Sequence, residues 1–421
     1  MARIAAPRGT ADILPDDARR WQALENAMRD VFARYGYGEI RTPVFEHTEL
    51  FARGIGEETD IVEKEMYTFE DRGERSLTLR PEGTAGAVRA YLERRLDTEP
   101  QPVKLWYAGP MFRYERPQAG RARQFHQLGA ECIGTMDPAA DAEIIAMAAS
   151  LFRRIGLADY ELHLNSIGCP QCRPAYVRKL REALEPVRDS LCKSCQDRFE
   201  RNTLRVLDCK RESCRAATQD APSILDSLCE ECADHFATVR RYLDELGIEY
   251  VINPRLVRGL DYYTKTVFEF LSPVLGAQDA LGGGGRYDGL VETLGGPPTP
   301  AVGFAAGMER ILLAAEGTLR GEAAALDGYV ATLGDAGRRV GVVLAERLRR
   351  AGLRAELDYM GRSLKAQMRQ ANRLGAKTVL IIGDDEAKAG TVQLRDMESG
   401  DERTVGVDEA VHVLQEKRGE K

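Results

Sequence analysis

Residues 111–134 read MFRYERPQAGRARQFHQLGAECIG. A strand pattern enters at 104–113, a charged turn with Pro117 and Gly120 interrupts it, and a second strand pattern leaves at 125–133. Two such runs joined by more than a tight turn make an open hairpin. The loop carries Arg113, Arg116, Arg121 and Arg123, with Glu115 and Glu131 among them. Guanidinium groups this close repel one another until an anion arrives. Their planar forks of donors match phosphate oxygens. The stretch predicts a hairpin presenting a polyphosphate or nucleic-acid site.

Upstream, Asp16 or Asp17 is expected to cap a helix whose buried stripe is Trp21, Leu24, Met28, Val31 and Phe32. Gly36-Tyr37-Gly38 stops it. EIRTPVFEHTELF at 39–51 reads as a strand with Pro43 inside it, hence an edge strand that needs pairing or cover. Residues 66–82 read as a hairpin turning at Arg72-Gly73, which delivers Glu82 and Thr84 to the mouth of a helix at 85–95. Thr84 suits a cap, and Glu82 suits a bound cation.

Downstream, a helix is expected at 139–155 and a strand at 160–167. From Cys169 to Glu249 the chain turns charged and helical in pattern and holds eight of the nine cysteines, as an inserted subdomain would. Strand patterns resume at 266–271, and Gly282–Gly285 precede Arg286-Tyr287-Asp288, where glycine lets backbone approach a ligand. AVGFAAGMERILL at 301–313 is a strand running into a helix, with Arg310 its one strong cation.

Residues 316–327 read as a linker, dividing the chain into 1–326 and 328–421. Beyond it strands (329–333, 355–359, 378–382, 392–397) alternate with helices (337–351, 363–374), which predicts an α/β unit with a mostly parallel sheet. Arg362, Lys365, Arg369 and Arg373 form one helix face, opposite Leu364, Met368 and Ala371. Arg349, Arg350 and Arg354 add positive charge suited to a phosphate backbone.

No apolar run approaches the ~18 residues needed to span a bilayer, and the first residues lack the apolar core of a secretory signal. A cytoplasmic location is expected. The net charge of −7 leaves no global basic field, so any nucleic acid must be held by local patches. Nine cysteines in such a chain point to metal or free thiols rather than disulfides.

Together these pieces resemble the histidyl-tRNA synthetases, a family of class II aminoacyl-tRNA synthetases. RTPVFEHTELF, FRYERPQAGRARQFHQLGAE and GFAAGMERI are similar to the three class motifs, the first associated with a dimer interface. LRPEGT at 79–84, RGLDYYT at 258–264 and GGGGRYDGL at 282–290 are similar to histidine-specific signatures. The resemblance implies an α+β catalytic domain with an antiparallel sheet and a C-terminal α/β anticodon-binding domain. The implied reaction uses ATP with Mg²⁺, L-histidine and tRNA(His), in a homodimer.

The resemblance also implies roles. Arg113 and Arg258 become catalytic cations on the α-phosphate, with Arg113 also touching the amino-acid carboxylate. Glu115, Arg121, Phe125 and Arg310 become ATP contacts, Phe125 stacking on adenine. Glu82, Gly83, Thr84 and Gln127 hold the α-ammonium end of histidine. Glu131 and Tyr263 read the imidazole, and Tyr262 and Tyr287 line the pocket. Arg116 and Gln118 lie where the family's loop meets the tRNA acceptor end.

The cysteines stand apart from those motifs. Cys169-x-x-Cys172, Cys192-x-x-Cys195, Cys209-x4-Cys214 and Cys229-x-x-Cys232 have metal-ligand spacing and would fill two closed four-thiolate zinc sites, with free buried thiols as the alternative and the sharing of pairs left open. His235 could replace a thiolate but reads rather as a surface histidine, and Cys132 reads as a core thiol. The competing reading is a histidine-binding regulatory paralogue of ATP phosphoribosyltransferase. Such paralogues usually lack the C-terminal domain and the arginines.

Overall fold

The computed structural model describes residues 3–56, 59–117, 120–276, 279–321 and 325–419. The chain divides into two compact units, Met1–Gly321 and Glu322–Lys421.

In the first unit the strands are β1 (Gly38–Glu39), β2 (Phe45–His47), β3 (Tyr67–Glu70), β4 (Ser76–Leu79), β5 (Val103–Phe112), β6 (Gln124–Ile133), β7 (Glu161–Ser166), β8 (Val251–Ile252), β9 (Thr264–Leu271), β10 (Ala280–Arg286) and β11 (Ala301–Gly307). Among the described residues, eight of them form one sheet in the order β1-β5-β6-β11-β10-β9-β7-β8. The sheet is mixed rather than wholly antiparallel. β5 through β7 in that order pair antiparallel, while β1 joins β5 and β8 joins β7 in parallel. Parallel neighbours need long crossovers, and both edges have them, through 40–102 and 167–250.

Side-chain alternation gives the sheet two different faces. Trp106, Leu128, Ala130, Cys132, Phe268, Phe270 and Phe304 join the main core with helices α1 (Pro15–Arg34) and α4 (Pro138–Arg154). The opposite face carries Tyr107, Arg113, Gln127, Glu131 and Glu269. It is flanked by α2 (Thr48–Ile55) and α3 (Thr84–Glu93).

Two local expectations need correction. α1 begins with Pro15 in its first turn, and Asp16 and Asp17 lie inside that turn, where their charge favours the helix end without capping it. Residues 39–51 are not one strand. Pro43 separates β1 from β2, and α2 starts at Thr48, burying Phe51 and Ile55 one turn apart. Three-residue β2 pairs with β4, which pairs with β3, leaving Val44, Phe45 and Phe69 exposed.

Residues 173–245 contain α5 (Arg173–Leu184), α6 (Lys193–Arg201), α7 (Glu212–Ala217) and α8 (Glu230–Glu245). Tyr176, Leu180, Leu184, Phe199, Val206 and Leu207 build a second core there. That core also takes in Tyr263 and Val267, so it packs onto the sheet. α8 instead gives Phe236, Val239 and Leu243 to the main core. The unit closes with α9 (Leu290–Thr293) and α10 (Met308–Ala314).

The second unit has β12 (Gly328–Thr332), β13 (Ala355–Leu357), β14 (Thr378–Ile382), β15 (Thr391–Asp396) and β16 (Glu402–Gly406), in the order β13-β12-β14-β15-β16. The first three are mutually parallel, and the last two add an antiparallel hairpin. Apolar clusters cover both faces, as a parallel sheet requires. In helix α11 (Gly334–Arg350) Leu344, Ala345 and Leu348 face one cluster. On α12 (Leu364–Arg373) the fully buried side chain next to Ala371 is the polar Gln367, while Leu364 and Met368 are only partly buried. Gln367 accepts from Thr332 N at 3.0 Å and donates to Thr332 O at 2.8 Å, so it acts as an extra rung on β12. Arg362 precedes α12 and pairs with Asp358, so the basic face starts one turn later than its spacing suggests.

Candidate active site

β5 and β6 bring their loop over the polar face of the sheet. Arg113, Glu115, Arg121, Phe125, Gln127 and Glu131 line one pocket with Glu82 and Thr84 from the mouth of α3. Arg258, Tyr262 and Tyr263 enter from the segment before β9, Tyr287 from the end of β10, and Arg310 from α10. Gly83 lies buried beneath it, where a Cβ would run into the Tyr107 ring.

The four loop arginines do not converge. Arg113 donates through Nε to Pro81 O at 2.9 Å and stands 5.3 Å from the Phe125 ring centre. Arg121 pairs with Glu115 at 2.9 Å. Arg123 instead stacks on Tyr114 at 3.8 Å, and Arg116 is exposed outside the pocket. Gln118 lies outside the described residues. The pocket's cations are therefore Arg113, Arg121, Arg258 and Arg310. Burial and the neighbouring Arg121 both disfavour the charge on Arg310, the arrangement of two cations prepared for an anion.

The other end is acidic. Glu131 accepts from Thr84 Oγ1 at 2.8 Å, Tyr107 Oη at 3.1 Å and Tyr287 Oη at 2.5 Å. Burial nonetheless pushes its carboxyl up to about 8. Glu82 is also buried and raised, against the pull of the Ala85 and Thr84 backbone N–H groups. Those bonds, 2.8 and 2.7 Å, show that Glu82 caps α3 and that the Thr84 hydroxyl is committed to Glu131. Gln127 Oε1 is buried with no partner among the described residues, an acceptor left for an incoming donor. Burial also keeps the hydroxyls of Tyr107, Tyr262, Tyr263 and Tyr287 protonated. Tyr263 stands 4.7 Å from Tyr262 and 6.0 Å from Arg258, ring centre to ring or cation.

Tyr107 and Glu269 were not singled out from sequence. Tyr107 on β5 has the parity of Arg113, six positions on and just past the strand's end, so strand parity carried the signal. Glu269 pairs with Arg258 at 2.6 Å, a contact between segments that spacing does not reveal. Beneath the site, fully buried Arg286 pairs with Asp141 at 2.8 Å and Asp288 at 2.9 Å, and His235 completes the network on Asp141 at 3.2 Å. His235 is thus buried rather than a surface histidine, because Asp141 holds it in the core, and it takes no part in the cysteine groups.

The glycine run is a strand, and most of its glycines serve their neighbours. A Cβ on Gly284 would strike Gly303 O, and one on Gly285 would strike Thr266 O. Gly283 faces Arg258 as well as Phe268 O.

The cysteines gather in two groups, Cys169/Cys172/Cys229/Cys232 and Cys192/Cys195/Cys209/Cys214, each with its four sulfurs within 4.8 Å of one another. Cys132 is a buried core thiol.

Residues 9–311 match the family model described as histidyl-tRNA synthetase. The chain belongs to the histidyl-tRNA synthetase family. Residues 329–417 match the anticodon binding domain model. Histidine–tRNA ligase of Desulforamulus reducens is 57% identical over 407 residues, covering 96% of this chain and 97% of the relative. That of Desulforudis audaxviator is 58% identical over 413 residues, covering 98% of each. The crystal structure of apo Staphylococcus aureus histidyl-tRNA synthetase superposes with a TM-score of 0.83 at 42% identity, covering 98% of this chain and 100% of that one. The family's class II catalytic sheet and its anticodon-binding unit are both present in this chain. No helix among the described residues is long and apolar enough to cross a membrane.

Proposed function

We propose that the protein is a histidine–tRNA ligase, joining L-histidine to tRNA(His) with conversion of ATP to AMP and diphosphate. The observation that carries this is one pocket with two buried carboxylates at one end and four arginines at the other. Histidine is dipolar, with an ammonium, an imidazole and a carboxylate. The acidic end, Glu82, Gln127 and Glu131, takes the first two. Tyr263, Tyr262 and Tyr287 wall the imidazole, and the carboxylate points toward Arg113 and Arg258. A site built on such hydrogen bonds rejects analogues lacking them by ~10⁴ or more.

ATP enters as its Mg²⁺ complex. Phe125 stacks on adenine, while Glu115, Arg121 and Arg310 hold the base and the outer phosphates. Histidine's carboxylate attacks the α-phosphorus, and diphosphate leaves. Negative charge grows at the α-phosphate between Arg113 and Arg258, both fixed before the reaction, so stabilisation costs no reorganisation there. Arginine stays charged throughout and acts as stabiliser rather than base. A hydroxyl at the 3′ end of tRNA then attacks the histidyl carbonyl and AMP leaves, the acceptor end being guided by Arg116 and Gln118.

In this reading residues 1–326 are the catalytic domain, 169–249 an inserted helical Cys-rich subdomain holding structural Zn²⁺, and 328–421 the anticodon-binding domain. The active form is a cytoplasmic homodimer paired through the segment around exposed Val44, Phe45 and Phe69. Histidine-dependent ATP–pyrophosphate exchange tests the reaction. Exchange with histidine alone among amino acids is expected, and folded protein without exchange would be the regulatory paralogue instead.

A further inference from the structure

We infer that the cysteines form two one-metal centres, and that the centre at the neck of the insertion, Cys169/Cys172/Cys229/Cys232, holds the histidine pocket in shape. The inference deepens the ligase reading and rests on it for its effect on histidine.

The sulfur geometry fits a single ion in each group. Cys169 Sγ lies 3.7 Å from Cys172 Sγ and 3.8 Å from Cys229 Sγ, and Cys172 Sγ lies 3.9 Å from Cys232 Sγ. Four thiolates at ~2.3 Å from one zinc stand at tetrahedron corners about 3.8 Å apart. A disulfide would bring two sulfurs to ~2.05 Å. An iron–sulfur cluster would divide the four thiolates among two or four irons and spread them further as a set. The backbone is shaped for the sulfurs too. Cys169 N–H points at Cys172 Sγ at 3.3 Å, and Cys192 N–H at Cys214 Sγ at 3.2 Å. Gly168, at φ +66°, is the residue whose Cβ would meet Cys172 Sγ at 2.7 Å.

The two centres differ in place. The neck group joins the chain just after β7 to the start of α8, the helix that packs into the main core. The other group lies wholly inside, at the starts of α6 and α7.

The neck is bonded directly to the strand behind the histidine pocket. Ile167 N donates to Lys265 O, and Lys265 N to Gly168 O, both at 2.8 Å. Arg173, next to Cys172, donates to Tyr263 O at 2.6 Å and to Gly168 O at 3.1 Å. Lys265 takes the left-handed backbone, φ +49°, and its ammonium pairs with Glu231 beside Cys232. A non-glycine residue stays in that region only where its surroundings over-determine it. The neck is that surrounding, and Tyr263 is two residues away.

The inner centre braces the other flank. From α6 and the turn after it, Arg198 and Arg205 reach Asp60 at 3.4 and 3.5 Å, and Asn202 reaches Asp261 at 2.9 Å. The Asp60 contacts hold the segment that lines a cavity with Glu115 and Arg121, the ATP side, and the Asp261 contact adds a tie to the segment carrying Arg258 and Tyr262.

The test uses the full chain purified without chelator. Native protein should carry two zinc ions. Cys172→Ser/Cys229→Ser and Cys192→Ser/Cys214→Ser should each keep one. Calorimetry should find histidine binding weakened about tenfold or more in the neck variant with ATP binding nearly unchanged, and ATP binding weakened in the inner variant. If a double variant does not fold, cobalt titration of the chelated native chain replaces it. Two equivalents of Co²⁺ with thiolate charge-transfer bands, and recovery of histidine affinity with them, support the assignment. Native protein without metal, a single shared ion, or a one-zinc neck variant that binds histidine normally overturns it. Histidine failing to bind the two-zinc native protein would instead sink the ligase reading and leave the metal centres standing.

Discussion

Glu269 Oε1 lies 2.6 Å from Arg258 Nη1, so the cation assigned to the α-phosphate is held by a carboxylate on β9 before any substrate arrives. Burial disfavours the charge on Arg258, and Glu269 with Tyr263 more than restores it. Arg258→Ala should leave histidine binding measurable and slow adenylate formation by about 10²–10³. Glu269→Gln keeps an acceptor but loosens the aim, and should cost about tenfold in the same step. Single-turnover adenylate formation checks both. Near-normal activation in Arg258→Ala would remove its role.

Glu131 makes the empty protein sensitive to pH. Burial drives its carboxyl from 4.5 to about 8 against the hydroxyl donors of Tyr287, Thr84 and Tyr107, with Glu82 adding repulsion. The folded state then binds more protons than the unfolded one. Its stabilising contribution is full below about 4.5 and is lost as pH rises through about 8. The ligand-free Tm should fall over that interval, and Glu131→Gln should flatten the fall. Parallel melting curves for the two proteins would refute the assignment.

Gly303 faces Glu131 across the β11–β6 pair. A Cβ there would collide with Glu131 Oε2 and lie 2.7 Å from Ala130 O. Gly303→Ala should cost about 1–3 kcal/mol of stability and displace the carboxylate proposed to read the imidazole. Histidine calorimetry on the folded variant should show affinity reduced by about tenfold or more. Unchanged affinity would place histidine elsewhere.

Gln367→Leu in the second unit keeps side-chain volume but strands the Thr332 N–H and C=O that Gln367 serves. An unsatisfied buried polar group costs about 1–3 kcal/mol. Urea unfolding of the variant should shift that unit's transition to lower denaturant. An unmoved transition would mean that water replaces the amide.

The hairpin at 103–133 was legible because two long strand-like runs flank a charged loop punctuated by Pro117 and Gly120. The pocket residues followed from motif resemblance, and the structure gathers thirteen of them from Glu82 to Arg310 around one cavity. Residues 39–51 misled because β-branched and aromatic side chains hide the helical spacing of Phe51 and Ile55. Short elements in the second unit, β16 and α13 (Asp384–Ala389) among them, escaped because polar edges give weak periodicity. The partners of Glu131 and Arg258, and the division of eight cysteines into two groups, depend on distant segments meeting. Spacing along the chain holds no record of that.

β6 behaves as a tape with two tracks. Its odd positions, Phe125, Gln127 and Glu131, line the pocket, and its even ones, Leu128, Ala130 and Cys132, seal the interior. Deleting a single residue upstream within the strand would swap the tracks, sending a carboxylate into hydrocarbon and a thiol toward histidine. This strand can be edited letter by letter but not by length.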